Sequence, residues 1–166
     1  MVLVGRREKR LLELTQQLGP EHTSYVAVDL LAEDAPALVR EHLLERYGRL
    51  DLLVNNAGAA WRARFADGGW ENVRRTTEIN FDAQVRLAEA PLDILRAFAP
   101  SAIVNVASTA GRVARAGSGA YSASKFALCG WSDALWAEER PKGVHVGLVL
   151  PGFWCAVRSA GAPRRS

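Results

Sequence analysis

The chain has 166 residues, and several residue types are scarce in it: two cysteines, one methionine and three lysines. The two cysteines, Cys129 and Cys155, give no metal-ligand spacing and fit a reducing compartment. The three histidines, His22, His42 and His145, are isolated from one another in sequence and read as structural or surface residues. No metal site is therefore expected. No apolar run approaches the ~18 residues of a membrane span, and no signal-peptide pattern opens the chain. Blocks of one charge are also missing. The net charge is +3, carried by dispersed arginines with one pair, Arg164 and Arg165, at the very end, so a nucleic-acid-binding surface is not expected. What remains, 49% hydrophobic and 23% charged residues, is the balance of one globular domain with a real core, expected in the cytoplasm.

Strand-like and helix-like segments alternate. "MVLVG" (1–5) is a short apolar strand, and the leucines of "RREKRLLELTQQLG" fall at helical spacing before a Gly-Pro stop. "TSYVAVDL" (23–30) is rich in β-formers. "AEDAPALVREHLLERYG" (32–48) reads as an amphipathic helix with acidic residues in its first turn. "LDLLVNNAG" (50–58) is a strand running into a turn of small polar residues. Residues 70–98 give two helical stretches broken near Asn80, 101–108 a strand, 119–139 a long helix and 144–152 a last strand closed by Pro-Gly. Nearly all-apolar strands alternating with helices imply a parallel sheet covered on both faces: a doubly wound, three-layer α/β/α architecture.

Ligands of such sheets lie at the carboxyl ends of the strands. Gly5-Arg6, Asp29, Asn55 to Gly58, Ser108 and Pro151-Gly152 collect there. Within "GAYSASKFAL" (119–128), Tyr121 and Lys125 are i and i+4 on a helix and project from one face. A free phenol, with a pKa near 10, is a poor acid or base at neutral pH; an adjacent ammonium favours the phenolate. Small neighbours leave room for a flat ligand to approach. The alternative is a tyrosine on an amphipathic helix whose lysine snorkels to solvent. Ser108, 13 residues before the tyrosine, adds a hydroxyl positioned for a substrate oxygen. Trp61, Trp70 and Trp154 follow strand ends or loops and suit either substrate contact or packing, and Cys129 reads as packed.

"LDLLVNNAG", "EIN" (78–80), "IVNVASTAG" (103–111), "YSASKFAL" and "VLPGF" stand in the order and at the spacing of the short-chain dehydrogenase/reductase family, which the chain resembles from residue 1 to about 153. The resemblance implies a Rossmann-like fold and an oxidoreductase that interconverts a carbonyl and a secondary alcohol by hydride transfer. Tyr121 then resembles the catalytic acid/base and Lys125 the residue that tunes it and holds the nicotinamide ribose. Ser108 resembles the residue that orients the substrate oxygen, and Asn80 the anchor of a proton-relay water. Asn55, Ala57 and Gly58 match the turn beneath the adenosine ribose, Asp29 and Leu30 the pair flanking adenine, and Pro151 and Gly152 the turn beside the nicotinamide. Gly5, Arg6 and Arg7 stand where NAD-preferring relatives carry an acidic residue. A guanidinium suits a 2′-phosphate, so NADP(H) is expected over NAD(H). Pairing into a homodimer or homotetramer is expected of a complete member, through the helices holding 81–97 and 119–139; Phe126, Leu128, Trp131 and Leu135 suit such a surface and suit the core equally.

The chain departs from the family at both ends. It begins at what resembles the second strand, with no T-G-x-x-x-G-[IL]-G turn to receive the pyrophosphate. In the strand order 3-2-1-4-5-6 the first strand lies mid-sheet, so two unpaired edges are expected there. After Pro151-Gly152, Trp154 and Ala156 replace the valine and threonine of relatives, and 154–166 has no strand pattern. The expected domain is a partial Rossmann unit over 1–153 with an irregular tail. A piece or mis-started record of a complete enzyme, and a non-catalytic pairing subunit, are both compatible with these residues. A nucleotide-sugar epimerase branch fits less well, given the NNAG turn and the position of Ser108. Little or no reductase activity is expected of the 166 residues alone, and the substrate is not legible.

Overall fold

A computed structural model describes residues 1–152. Five parallel strands alternate with helices in the order β1 (Val2–Gly5), α1 (Glu8–Leu18), β2 (Ser24–Ala27), α2 (Ala35–Arg46), β3 (Leu52–Asn55), α3 (Phe65–Thr77), a π turn (Glu78–Asp82), α4 (Ala83–Glu89), α5 (Leu92–Ala97), β4 (Ser101–Val106), α6 (Gly119–Glu139) and β5 (Val144–Val149). The alternation is the one expected. The strands are shorter than the segments expected, ending at Gly5, Ala27, Asn55, Val106 and Val149. Helix α2 starts at Ala35, so Glu33 precedes it and Asp34 is its N-cap residue.

The strands form two sheets, β1-β2 and β3-β4-β5. β1 and β3 are not paired, and among the described residues no strand lies between them. This is the interruption anticipated from the family's strand order. Leu52, Val54 and Val149 share one face of the three-stranded sheet through the registers Val54↔Val104 and Val106↔Val149, and each is about half exposed. The opposite face carries the core: Ile103, Val144 and Val146 pack against Ala88, Leu95 and Leu135 from α4, α5 and α6. Cover on both faces, expected for the whole fold, is thus seen on one face of this sheet. The tail over 154–166, and Trp154 and Cys155 with it, lie outside the described residues.

Side chains bind the two sheets into one body. Leu30, Ala83 and Leu87 gather Val4 of β1, Val39 of α2 and Leu53 of β3 into a second apolar cluster. Arg40 of α2 donates to Ala90 O at 2.9 Å and pairs with Asp93 at 2.6 Å. Arg86 of α4 returns the tie, donating to Ala32 O at 3.0 Å and Glu33 O at 2.6 Å. Each guanidinium satisfies carbonyls that a gap between layers would otherwise leave open.

Helix α6 ends in a buried ion cluster. Glu139 is 2% exposed and accepts two bonds from Arg96 of α5, at 2.7 and 2.6 Å, and one from Lys142 at 2.8 Å. A carboxylate at a helix C-terminus opposes the dipole; the two cations offset that, and the Arg96 hydrogen bonds hold its pKa down to about 2. Gly143, at φ 79°, then reverses the chain into β5. Of the four apolar residues expected on a pairing surface, Leu128 and Leu135 are buried in the core, Trp131 packs against it and Phe126 remains about half exposed. The sheet-facing side of α6 claims the first three.

Glu139→Gln is expected to lower stability by about 1–2 kcal/mol, less than the ~3–5 kcal/mol of a fully buried pair because Arg96 and Lys142 reach solvent. The carboxylate's pKa is depressed on folding, so its contribution is present above the ordinary value of 4.5 and fades as pH falls toward 2. Denaturation midpoints of both proteins between pH 7 and 2 check this: the difference should shrink with acid, and a constant difference contradicts it.

Candidate active site

Helix α6 brings Tyr121 and Lys125 to the carboxyl edge of the three-stranded sheet. Its buried residues include Ala120, Ser122, Ser124, Cys129 and Ser132, all small, which lets the helix lie close to β4. Lys125 follows that face inward: it is 3% exposed, and its Nζ donates to Val106 O, the last residue of β4, at 2.8 Å. Burial pushes its pKa down to about 8. The ammonium stands 6.0 Å from the centre of the Tyr121 ring.

The turn after β4 rests on the same helix. Ser108 Oγ accepts a bond from Ala110 N at 3.1 Å, which leaves its own O–H to donate elsewhere. Gly111 closes this turn directly against α6. A Cβ there would meet Lys125 O at 2.8 Å and Cys129 Sγ at 2.9 Å, so a side chain at 111 would lift the Ser108 turn off the helix that bears Lys125.

Asn80 is fully buried in the π turn, at the break expected between the two helices. Such widened turns free a backbone carbonyl from the helical ladder and recur at functional sites. The Asn80 side chain clamps the loop after β3: Oδ1 accepts from Ala59 N at 2.8 Å and Nδ2 donates to Ala59 O at 2.8 Å. Nδ2 also donates to Ser124 Oγ at 3.1 Å, and Ser124 Oγ donates to Tyr121 O at 2.8 Å. One amide therefore couples the π turn, the loop and the tyrosine's own backbone. Gly58 passes so close that a Cβ would lie 2.7 Å from Asn80 Oδ1.

These parts enclose a cleft of about 300 Å³, lined by Asn56, Gly58 to Ala60, Asn80, Val106 to Ser108, Tyr121, Lys125, Pro151 and Gly152. Of the expected site residues, the structure gathers Gly58, Asn80, Ser108, Tyr121, Lys125, Pro151 and Gly152 here. Others lie apart. Asn55 is buried, donating to Asn105 Oδ1 at 2.9 Å and Gln84 O at 3.4 Å, and Ala57 gives its carbonyl to Gln84 Nε2 at 2.6 Å. Leu30 is in the apolar cluster. At the other sheet, Arg6 pairs with Asp29 at 3.7 Å, both well exposed, and Arg7 precedes α1. Trp61 and Trp70 are exposed, Trp61 beneath the Arg75 guanidinium at 4.7 Å. Among the described residues no group of three His, Cys, Asp or Glu side chains is gathered for a metal ion.

Sequence reasoning gave no role to Gly111, Gln84, Asn105 or Ser132, and read Ser124 only as a small neighbour leaving room for a ligand, whereas it is buried and bonded to Asn80 and the Tyr121 carbonyl. Asn105 Nδ2 donates to Ser132 Oγ at 2.9 Å and Ser132 donates to Leu128 O at 2.6 Å. This polar chain from β3 through β4 into α6 fixes the height of α6 over the sheet. The available signal was polar residues at strand positions otherwise apolar, in "IVNVAS" and "LLVNNAG".

The profile of the short chain dehydrogenase family matches residues 1–160. The chain belongs to the short-chain dehydrogenase/reductase family. It is 32% identical over 159 residues to the mouse protein named dehydrogenase/reductase SDR family member 7B, covering 92% of this chain and 49% of that one. Against the zebrafish protein of that name it is 30% identical, covering 52% of it. A solved short-chain dehydrogenase from Streptomyces avermitilis superposes with a TM-score of 0.86 at 32% identity, over 92% of this chain and 56% of that one. A short-chain dehydrogenase/reductase of unknown function from Caenorhabditis elegans, solved with cofactor, gives 0.85 at 27% identity, over 92% and 59%. The chain spans about half the length of the curated relatives it matches.

The family's cofactors are NAD(P), and the donor set of the cleft suits the nicotinamide-ribose end of one. Lys125 has N–H donors beyond the one given to Val106, the Tyr121 and Ser108 hydroxyls line the same space, and Gly152 leaves room where a Cβ would meet nothing within 4 Å. For the pyrophosphate, the sequence holds no T-G-x-x-x-G-[IL]-G turn.

Gly111→Ala is expected to cost about 1–3 kcal/mol, because the opposing atoms include α6 backbone. Gly130→Ala on the same helix, where a Cβ meets nothing within 4 Å, should be neutral or stabilising by up to ~1 kcal/mol. Urea midpoints of the two variants check the contact; equal effects contradict it.

Proposed function

We propose that this cleft performs the proton-transfer half of an NADP(H)-dependent interconversion of a carbonyl and a secondary alcohol. The observation that carries the reading is the convergence of Tyr121, Ser108 and the buried Lys125 ammonium on one cleft. The hydride would be supplied or received by NADP(H) when it is bound. The chain's own residues do the rest. Ser108 donates its O–H to the substrate oxygen and holds it near Tyr121. The phenol gives its proton to that oxygen in reduction and takes it back in oxidation. The Lys125 ammonium, 6.0 Å from the centre of the Tyr121 ring, would stabilise negative charge developing on the phenol, and its remaining N–H donors would hold the ribose hydroxyls. Asn80, through Ala59 and Ser124, keeps the loop and the tyrosine in register. Asn55, Ala57 and Gly58 are proposed to lie along the cofactor's adenosine side, and Asp29 and Leu30 beside its adenine. Arg6 and Arg7 favour NADP(H) by pairing with the 2′-phosphate, for which Arg6 exchanges its 3.7 Å contact with Asp29.

The substrate is a small carbonyl or alcohol compound, and the assembly is a homodimer or homotetramer of the complete enzyme in the cytoplasm. Among the described residues no helix is long and apolar enough to cross a membrane. A second reading, a non-catalytic subunit that docks on an intact relative, draws on the half-exposed Leu52 and Val54 of the unpaired β3 edge.

Fluorescence titration of the 166-residue chain with NADPH and NADH separates these readings. Saturable NADPH binding is expected, roughly fivefold tighter than NADH, the difference shrinking in Arg6→Ala and vanishing in Arg6→Ala/Arg7→Ala, together with negligible turnover of a carbonyl panel. Equal affinities contradict the NADP(H) preference. Absence of all nucleotide binding favours the docking subunit, and robust NADPH oxidation contradicts the dependence on a glycine-rich cradle.

A further inference from the structure

Of the three lysines, Lys125 alone lines the cleft. Lys9 is exposed on α1, and Lys142 is tied to Glu139 at 2.8 Å. The Lys125 side chain is 3% exposed, yet its Nζ borders open space: a Cβ at Gly58, which lines the same cleft, would come within 3.8 Å of it. One of its hydrogens goes to Val106 O at 2.8 Å. Burial lowers its pKa to about 8, with the Cys129 thiol opposing the shift. Roughly one Lys125 side chain in ten is then the free amine at pH 7, against about one in three thousand for a lysine at the ordinary 10.5.

That amine stands beside groups able to activate a carbonyl. Ser108 lies two residues beyond Val106 on extended backbone, roughly 6.6 Å between Cα atoms. A carbonyl group fits this span with its oxygen accepting from Ser108 and its carbon facing Nζ. Tyr121 lines the same cleft, its ring centre 6.0 Å from Nζ, and its phenol supplies a proton donor. Ala59, Ala60, Ala107 and Pro151 complete the lining with small apolar surface suited to a short alkyl chain. Desolvated lysines of this kind attack carbonyl carbon, because the free amine, not the ammonium, is the nucleophile.

We infer that Lys125 is also a nucleophile that captures short aliphatic aldehydes as imines, with Ser108 holding the carbonyl oxygen and Tyr121 shuttling protons. The amine nitrogen bonds to the carbonyl carbon while the C=O π electrons move to oxygen, which takes a proton from the Tyr121 phenol. The carbon–oxygen bond of the resulting carbinolamine then breaks as C=N forms. Both amine hydrogens end on the departing water, passed through the phenol, so Tyr121 is restored. The activity goes beyond the oxidoreductase reading, since no hydride and no nucleotide take part.

Reductive trapping tests this. The 166-residue chain is held at pH 7 with butanal and sodium cyanoborohydride, which reduces an imine to a stable secondary amine, and peptide mass spectrometry follows alkylation of each lysine over time. Exposure alone would put Lys9 first and Lys125 last. The proposal predicts the reverse, with Lys125 alkylated at least about tenfold faster than Lys9 or Lys142. Tyr121→Phe should slow Lys125 by about tenfold without changing Lys9, and Ser108→Ala should slow it in the same sense. Circular dichroism checks that both variants fold. In urea-unfolded chain the three lysines should react at one rate. Alkylation of Lys125 no faster than Lys9, a preference that survives in urea, or an unchanged Lys125 rate in both folded variants overturns the proposal.

Discussion

Lys125 carries an ammonium group into the body of the protein, where the carbonyl at the end of β4 receives it at 2.8 Å and burial lowers its pKa to about 8. Desolvating a charge is costly unless its hydrogen bonds are replaced, so the surrounding structure is organised to keep that carbonyl in place. β4 must end at Val106, α6 must lie close enough for the side chain to reach it, and the turn from Ser108 to Gly111 must fold flat against the helix. The small residues on the inner face of α6 and the missing side chain at Gly111 are the steric conditions for that approach.

A polar seam through an otherwise apolar interior sets the remaining distances. Asn55, Asn105 and Ser132 run from β3 to the Leu128 carbonyl of α6, and Asn80 and Ser124 run from the loop after β3 to the Tyr121 carbonyl. Hydrogen-bonded side chains permit one geometry where apolar packing tolerates several, because a displaced partner leaves a buried polar atom unsatisfied. The strands and helices of the family are thereby held with the tyrosine, serine and lysine on one cleft.

Much of this was legible from residue order. The long helix expected over 119–139 matches α6 at both ends. The break at Asn80 was legible because a polar residue interrupts two helical patterns. The face α6 turns inward was not: apolar and small residues occur all round it, so Leu128 and Leu135 suited a surface as well as the core they occupy. Nor was the Arg6–Asp29 contact, which depends on β1 and β2 being neighbours. The roles of Gly111 and Asn105 depend on what lies opposite in space, and local patterns carry no record of that. The unpaired β1 and β3 edges were legible only from the strand order of the family.

The central claim is that Lys125 presents a buried ammonium to the cleft proposed here to bind a nucleotide. Nitrogen-15 titration of the lysine side chains, with Lys125 assigned by its loss in Lys125→Arg, tests it most directly. The account predicts a midpoint near 8 against the ordinary 10.5, and a Lys125 signal that moves on addition of NADP⁺ while Lys9 and Lys142 do not respond. A midpoint at the ordinary value, with no response to the nucleotide, would contradict it.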